Sequence, residues 1–196
     1  MHSHLLPGID DGVDSLESSI EVIRGFANLG YKKLITTPHI MHDFYKNDPT
    51  IILPLLEEVR GAIQTEGIDI QLDAAAEYYL DEYFMELLES GEKLLSFGDN
   101  YVLFELSFMS KPLTIRDAIF KMQTKGYRPV LAHVERYLYF HKTFEELSEL
   151  KNTGISFQLN LLSLSGYYSK NVKQMAQKLV AAGMIDFIGS DCHNSN

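Results

Sequence analysis

The sequence predicts an α/β fold in which parallel strands are covered by helices. Two observations carry this. A unit of amphipathic helix, glycine and short apolar strand recurs along the chain. Ligand-type side chains also stand at the ends of nearly every one of those strands, as they do in parallel folds that build a site on one face. The length of 196 residues, with 45% hydrophobic and 22% charged content, suits one soluble domain with a sizeable core.

The elements follow in order. Asp14 is placed to cap a helix, with Glu17 as the second half of a capping box, and Leu16, Ile20, Ile23 and Ala27 share one face. Gly30 stops that helix before a strand over 33–37. Asp48-Pro49 opens the next helix, which carries Ile52, Leu55, Leu56, Val59 and Ile63; Gly67 ends it, and 68–75 is extended. A helix over about 80–90 precedes a strand at 101–105. Thr114 caps a helix with Asp117 in its first turn, Gly126 ends it, and the strand 128–132 follows. Thr143 and Glu146 open another helix, closed by Gly154 before the strand 155–159. Val172, Met175, Ala176, Leu179 and Val180 line a last helix before Gly183 and the strand 185–189. A closed barrel and an open doubly wound sheet both satisfy this alternation.

Composition narrows the function classes. The formal net charge of -10 opposes binding to a nucleic-acid backbone. No apolar run is long enough to span a bilayer, and no secretory leader is visible. The single cysteine, Cys192, rules out an internal disulfide framework and fits a reducing compartment, so a cytoplasmic location is expected. An acidic protein that handled phosphate would need local positive charge, and metal ions are its obvious source.

The strand ends carry the chemistry. Thr37-Pro38-His39, Ala76-Glu77, Glu105, His133 and Ser190-Asp191-Cys192-His193 each follow a strand, and the chain opens with His2-Ser3-His4. In extended backbone, residues two apart face the same side, so His2 with His4, and Asp191 with His193, can each offer two ligands to one site. Taken singly the pieces have plain readings: a terminal tag remnant for His2-Ser3-His4, a turn for Asp10-Asp11-Gly12, a satisfied loop histidine for His39, a surface carboxylate for Glu77. Glu105, His133 and Asp191 resist them. Each follows a buried apolar run, where an unpaired charge is costly. With Lys and Arg totalling 17 against 27 acids, separate salt bridges are in short supply, whereas a shared metal centre answers every site at once. Imidazole and carboxylate together suit Mn, Fe or Zn.

Seven motifs in order, His2-Ser3-His4, Asp10-Asp11-Gly12, Thr37-Pro38-His39, Ala76-Glu77, Phe104-Glu105, Ala132-His133-Val134-Glu135-Arg136 and Ser190-Asp191-Cys192-His193-Asn194, resemble those of the PHP (polymerase and histidinol phosphatase) superfamily. The Asp-Asp-Gly, Ala-His-x-Glu-Arg and Ser-Asp-x-His-Asn forms are similar to its bacterial branch of manganese-dependent protein-tyrosine phosphatases linked to capsule and exopolysaccharide synthesis. The resemblance implies a single PHP-type domain over 1–196, a distorted (β/α)7 TIM-like barrel with its metal site at the C-terminal strand ends. It also implies three divalent metal ions, Mn before Fe or Zn. His2, His4, Glu77 and Asp191 would hold the first, Asp11, His39 and His193 the second, and Glu77, Glu105 and His133 the third, with Glu77 bridging. Arg136 matches an arginine that grips the substrate phosphate. The implied substrate is a phosphotyrosine protein, a tyrosine kinase of polysaccharide synthesis, hydrolysed by a metal-bound hydroxide.

In the resembling family a short strand precedes the His-x-His motif, and a second phosphate-binding arginine and a closing helix follow the Asp-x-His-Asn motif. A native chain extending beyond Met1 and Asn196 is therefore expected. Other readings are a PHP phosphatase of a small phosphomonoester such as histidinol phosphate, a metal-loaded but inactive partner of a tyrosine kinase, and a plain α/β scaffold. Cys192 is rejected as a nucleophile, because it sits among acids with no anion-binding loop. His42 and His141 read as rim or surface histidines. Among Tyr78, Tyr79, Tyr83, Phe84 and Phe108, at least half are expected in the core and the rest beside a pocket. The loop 162–168 is a further candidate for the pocket border.

Overall fold

The computed structural model of the protein describes residues 1–194. In chain order the elements are α1 (Leu16–Asn28), β1 (Lys33–Thr36), β2 (His39–Ile40), α2 (Pro49–Thr65), β3 (Gln71–Ala74), β4 (Glu77–Tyr79), α3 (Glu82–Ser90), β5 (Tyr101–Glu105), α4 (Ile115–Thr124), β6 (Arg128–Leu131), α5 (Leu138–Lys142), α6 (Phe144–Lys151), β7 (Ser156–Asn160), α7 (Lys170–Ala181) and β8 (Phe187–Gly189). Short 3-10 turns occupy Val134–Arg136 and Leu161–Leu164. Among the described residues no helix is long and apolar enough to cross a membrane.

Every strand pairing is parallel. One run is ordered β2-β4-β5-β6-β7-β8, and β1 pairs with β3. Lys33 opposes Gln71 and His39 opposes Glu77, so β1–β2 and β3–β4 keep one register through their breaks. The first break falls at Thr37-Pro38, where proline has no N–H to give the ladder. Ala75 N still donates to Thr36 O, and Glu77 N to Pro38 O.

The sheet curls until residues 2–4 reach both of its margins. Ser3 bridges Cys192 in parallel, His4 N donates to Cys192 O (2.9 Å), and Asp191 N donates to His2 O (3.0 Å). On the other side Thr37 N donates to Ser3 O at 2.7 Å, and Thr36 Oγ1 donates to the same carbonyl at 3.0 Å.

Strand alternation divides the interior into two layers. Between sheet and helices lies the main core, with Ile23, Ile52, Val59, Phe104, Leu131, Phe157 and Leu179. The concave side holds a smaller apolar plug of Ala75, Leu103, Val130 and Ala132, closed by Phe97 and Phe187. Two residues further along their strands, Ala75 gives way to Glu77 and Leu103 to Glu105. One face of each strand is therefore apolar low down and ionisable at its C-terminal end.

Several local expectations are corrected. Ser15, not Asp14, caps α1, its side chain accepting from Ser18 N at 3.2 Å, while Asp14 accepts from the Ser18 hydroxyl. Thr114 and Thr143 occupy cap positions without a side-chain cap bond. The strands expected to begin at Ile68 and Ile185 begin at Gln71 and Phe187. The helix α5 was not anticipated: it is short, and propensity has little hold on one turn. Asp48 does cap α2, accepting from Thr50 N and Ile51 N, with Pro49 behind it.

Candidate metal centre

The strand ends bring the sequence candidates into one buried ring. Nε2 of His2 lies 3.0 Å from Glu77 Oε2 and 3.2 Å from Asp191 Oδ1; Nε2 of His4 lies 3.4 and 3.5 Å from the same two oxygens. These four side chains form one convergent group. Asp11 Oδ1 stands 3.5 Å from His39 Nε2 and 3.4 Å from His193 Nε2, and His4, stacked on His193, joins them as a second group. Glu77, Glu105 and His39 make a third: His39 Nδ1 is 3.1 Å from Glu105 Oε1 and 3.4 Å from Glu77 Oε2. His133 borders that group, with Nε2 3.0 Å from Glu77 Oε1 and 3.7 Å from Glu105 Oε2. Glu77 touches His2, His4, His39 and His133, and His39 faces two groups at once.

Backbone geometry sets these positions. His2, His133 and Asp191 have positive φ, at 70°, 33° and 51°. Such values are strained for residues with a Cβ and collect at functional sites. At His133 the reason is visible. Leu131 faces the main core and Ala132 the plug, so simple alternation would send His133 outward beside Leu131. The left-handed turn re-aims the ring at Glu77.

Three of the four histidines of the first two groups are also held from behind. His4 Nδ1 donates to Asp10 Oδ2 (2.8 Å), His2 Nδ1 to Gln158 Oε1 (3.0 Å), and His193 Nδ1 to the Asp191 carbonyl (2.9 Å). Their Nε2 atoms are thereby turned toward the carboxylates. A partner behind the ring is the usual support of a ligating imidazole.

Electrostatics show what the ring lacks. Burial alone would raise the Glu77 and Asp191 carboxyls, yet the surrounding imidazoles bring both well below the usual range. The hydrogen bond from His193 takes Asp11 down to about 2. Burial would lower the histidines, but Glu77 and Asp191 overcome it and raise His2 to about 10, while His4 goes well above its ordinary value. His39 is raised as well, against its burial, by Glu77 and Glu105. Without a cation, protons on the imidazoles must balance the acids. Among the described residues, Arg136 is the only Lys or Arg whose ion pair reaches the ring, 3.1 Å from Asp191 Oδ2. His4 Nε2 and His39 Nδ1 are buried with no hydrogen-bond partner although both face carboxylates. Orphaned nitrogens, convergent oxygens and no thiolate fit divalent cations of the Mn, Fe and Zn kind.

The ring forms the floor of a cleft of about 500 Å³. Arg136 stands in its wall between two aromatic faces, 4.7 Å from the Phe108 ring centre and 4.4 Å from that of Tyr168. Leu161, Leu162 and Tyr167 complete the mouth, so the 162–168 loop does border the pocket, while Ser163 turns inward to Glu135. Of the aromatic set, Tyr78 and Phe84 are core and Phe108 lines the cleft. His42 is exposed near Tyr83. His141, expected at the surface, is partly buried and donates to the Glu135 carbonyl at 2.7 Å. Cys192 is half-buried with its thiol directed to the Asn194 carbonyl, and burial pushes that thiol up, away from thiolate character.

Sequence reasoning passed over Asp10, Gln158, Asn160 and Glu135. Asp10 was hidden inside a motif that also reads as a turn. The signal for the middle pair was their spacing: Gln158 and Asn160 alternate with Phe157 and Leu159, which puts two amides on the concave face of a buried strand.

A family model described as "Capsular polysaccharide synthesis, CpsB/CapC" matches residues 1–196. The tyrosine-protein phosphatase YwqE of Bacillus subtilis is 32% identical over 196 residues, covering 99% of this chain and 76% of that protein. The putative tyrosine-protein phosphatase CapC of Staphylococcus aureus is 26% identical over 194 residues, with 99% and 76% covered. The tyrosine-protein phosphatase CpsB of Streptococcus pneumoniae is 25% identical over 199 residues, with 99% and 82% covered. A solved structure from work on YwqE and the S. pneumoniae CpsB, described there as unique metal-dependent tyrosine phosphatases, superposes with a TM-score of 0.92 at 31% identity, covering 100% of this chain and 79% of that one. A match along the entire sequence, joined to this likeness in fold, places the chain in the CpsB/CapC family.

Proposed function

We propose that the protein is a metal-dependent tyrosine phosphatase serving capsular or exopolysaccharide synthesis, of PHP type, with the curled sheet read as a distorted (β/α)7 barrel. The observation that carries this reading is the buried ring of imidazoles and carboxylates beneath a cleft walled by Arg136 and aromatic rings. The family match and the named activities of the relatives support it. His2, His4, Glu77 and Asp191 would hold one divalent ion. Asp11, His39 and His193 would hold a second, and Glu77, Glu105 and His133 a third, with manganese the first choice. Bound ions supply Lewis acidity and activation of the attacking water.

The chain's own residues do the rest. Arg136 is a fixed cation whose planar fork suits a phosphate, and Asp191 and its two aromatic neighbours hold it in place. Phe108, Tyr167 and Tyr168 offer flat apolar faces to an aryl ring. A phenolate leaves with a pKa of about 10, so the cleft needs no strong general acid. The acidic surface and the absence of a spanning helix among the described residues are compatible with a cytoplasmic phosphoprotein substrate, for which a tyrosine kinase of the same synthesis is the proposed partner.

The test is hydrolysis by the purified, manganese-loaded protein of para-nitrophenyl phosphate, a phosphotyrosine peptide and histidinol phosphate, with and without chelator. Chelator-sensitive turnover that favours the two aryl esters is expected. A preference for histidinol phosphate would move the assignment to a small phosphomonoester, and no turnover with Mn, Fe or Zn would leave a binding module.

A further inference from the structure

Among the described residues, β7 neither carries nor leads into a proposed metal ligand, yet the C-terminal half of its concave face is polar and buried. Gln158 and Asn160 are both 0% exposed. The direction of each of their hydrogen bonds is forced. Gln158 accepts from the backbone N–H of His133 at 2.8 Å, so the atom there must be its oxygen. The same oxygen lies 3.0 Å from His2 Nδ1, which must therefore carry a hydrogen and leave Nε2 aimed at Glu77 and Asp191. The Gln158 amide nitrogen is then left to donate to Asn160 Oδ1 at 2.9 Å. The Asn160 nitrogen in turn faces Asp191 Oδ2 at 2.6 Å, while Asp191 Oδ1 points to the two histidines.

Gly189 leaves room for this arrangement. A Cβ there would lie 2.5 Å from Gln158 Nε2 and 2.9 Å from the His2 Cβ. The amide pair thus reaches His2, His133 and Asp191, the three ring members with positive φ.

We propose that Gln158 and Asn160 are positioning residues for the metal centre, a directional amide relay that fixes which nitrogen of His2 and which oxygen of Asp191 face the ion and pins the strained turn at His133. The inference rests on the metal-centre reading above and adds to it a second layer drawn from a strand that supplies no ligand. Outer partners of this kind typically govern metal affinity by about 10–100-fold.

Manganese binding by calorimetry, with bound ions counted by native mass spectrometry, tests the relay on the full chain. Gln158→Leu removes every bond of the amide and is expected to weaken manganese binding by about 10–100-fold. Gln158→Glu keeps the oxygen for His2 and His133 but loses the donor to Asn160, so its affinity should fall between those of the parent and Gln158→Leu. A purely structural role does not predict that order. Far-UV circular dichroism of the metal-free variants reports folding. If Gln158→Leu fails to fold, the isosteric Gln158→Glu carries the test alone against the parent. Parent-like manganese affinity in every folded variant overturns the relay and leaves the metal centre standing. A parent protein that binds no manganese overturns both.

Discussion

The strand run that leads to Glu77 carries another acid four residues earlier, and the two carboxylates live in different worlds. Asp73 lies on the same face, two residues before Ala75, half-exposed between Lys33 at 2.5 Å and Arg60 at 2.6 Å, and those partners hold its carboxyl below the usual value. Glu77 is fully buried, and among the described residues its ion pairs are all with imidazoles. Water and long basic side chains settle the first charge at little cost and little gain. The second would be prohibitive alone, and it is tolerable only inside a ring that a cation or shared protons can neutralise. Partner type thus separates an acid that decorates a fold from an acid placed where it could take a cation.

The sharpest way to break that contrast is Asp191→Ala. It should lose bound manganese and lower kcat/KM on para-nitrophenyl phosphate by about a thousandfold or more, since several kcal/mol of Lewis-acid stabilisation go with the ion. Asp73→Ala should leave both unchanged, and comparable losses in the two variants would dissolve the distinction. Arg136→Ala is the next largest, with kcat/KM down by about 10–100-fold and metal content retained; Arg136→Lys should recover only part, because an ammonium cannot match a bidentate fork.

The pH dependence of the metal-free protein comes next. The folded-state value of His2 is near 10 against an ordinary 6.5, so its contribution is complete below about 6.5 and disappears as pH rises through 10. His4 and His39 are displaced in the same direction. Melting in chelator should therefore drop as pH rises over that window, and manganese should stabilise more at the alkaline end, where it no longer competes with protons. A melting temperature that climbs with pH in chelator would contradict the account of the ring. The smallest effects belong outside it. Lys33→Ala should cost less than about 1 kcal/mol in denaturant unfolding. Cys192→Ser should keep most activity, because its half-buried, protonated thiol has no part in the chemistry.

Much of this was readable from residues alone, for a physical reason. Glycine stops, apolar periodicity and strand-end acids are local signals, and they located the helices other than α5 and the ring candidates within a few residues. What escaped depended on contacts between distant segments. Alternation from Leu131 would have turned His133 away from the pocket, and only its left-handed backbone, tied to Gln158, reverses that. Gln158 and Asn160 carry no charge and belong to no ligand vocabulary, so their role emerges only when β7 is placed beside His2 and Asp191. Ser15 displaced Asp14 as a cap because adjacent capping residues compete and the final φ/ψ decides.

The seam formed by His2-Ser3-His4 between Thr36-Thr37 and Asp191-Cys192 closes the sheet across a long stretch of chain, with Ser190 and His2 188 positions apart. Contacts over such a separation cost loop-closure entropy before they return any stabilisation. The convergent group of His2, His4, Glu77 and Asp191 is complete only when that closure is made. Its affinity for a cation is therefore expected to report on closure of the whole sheet and not on any single strand.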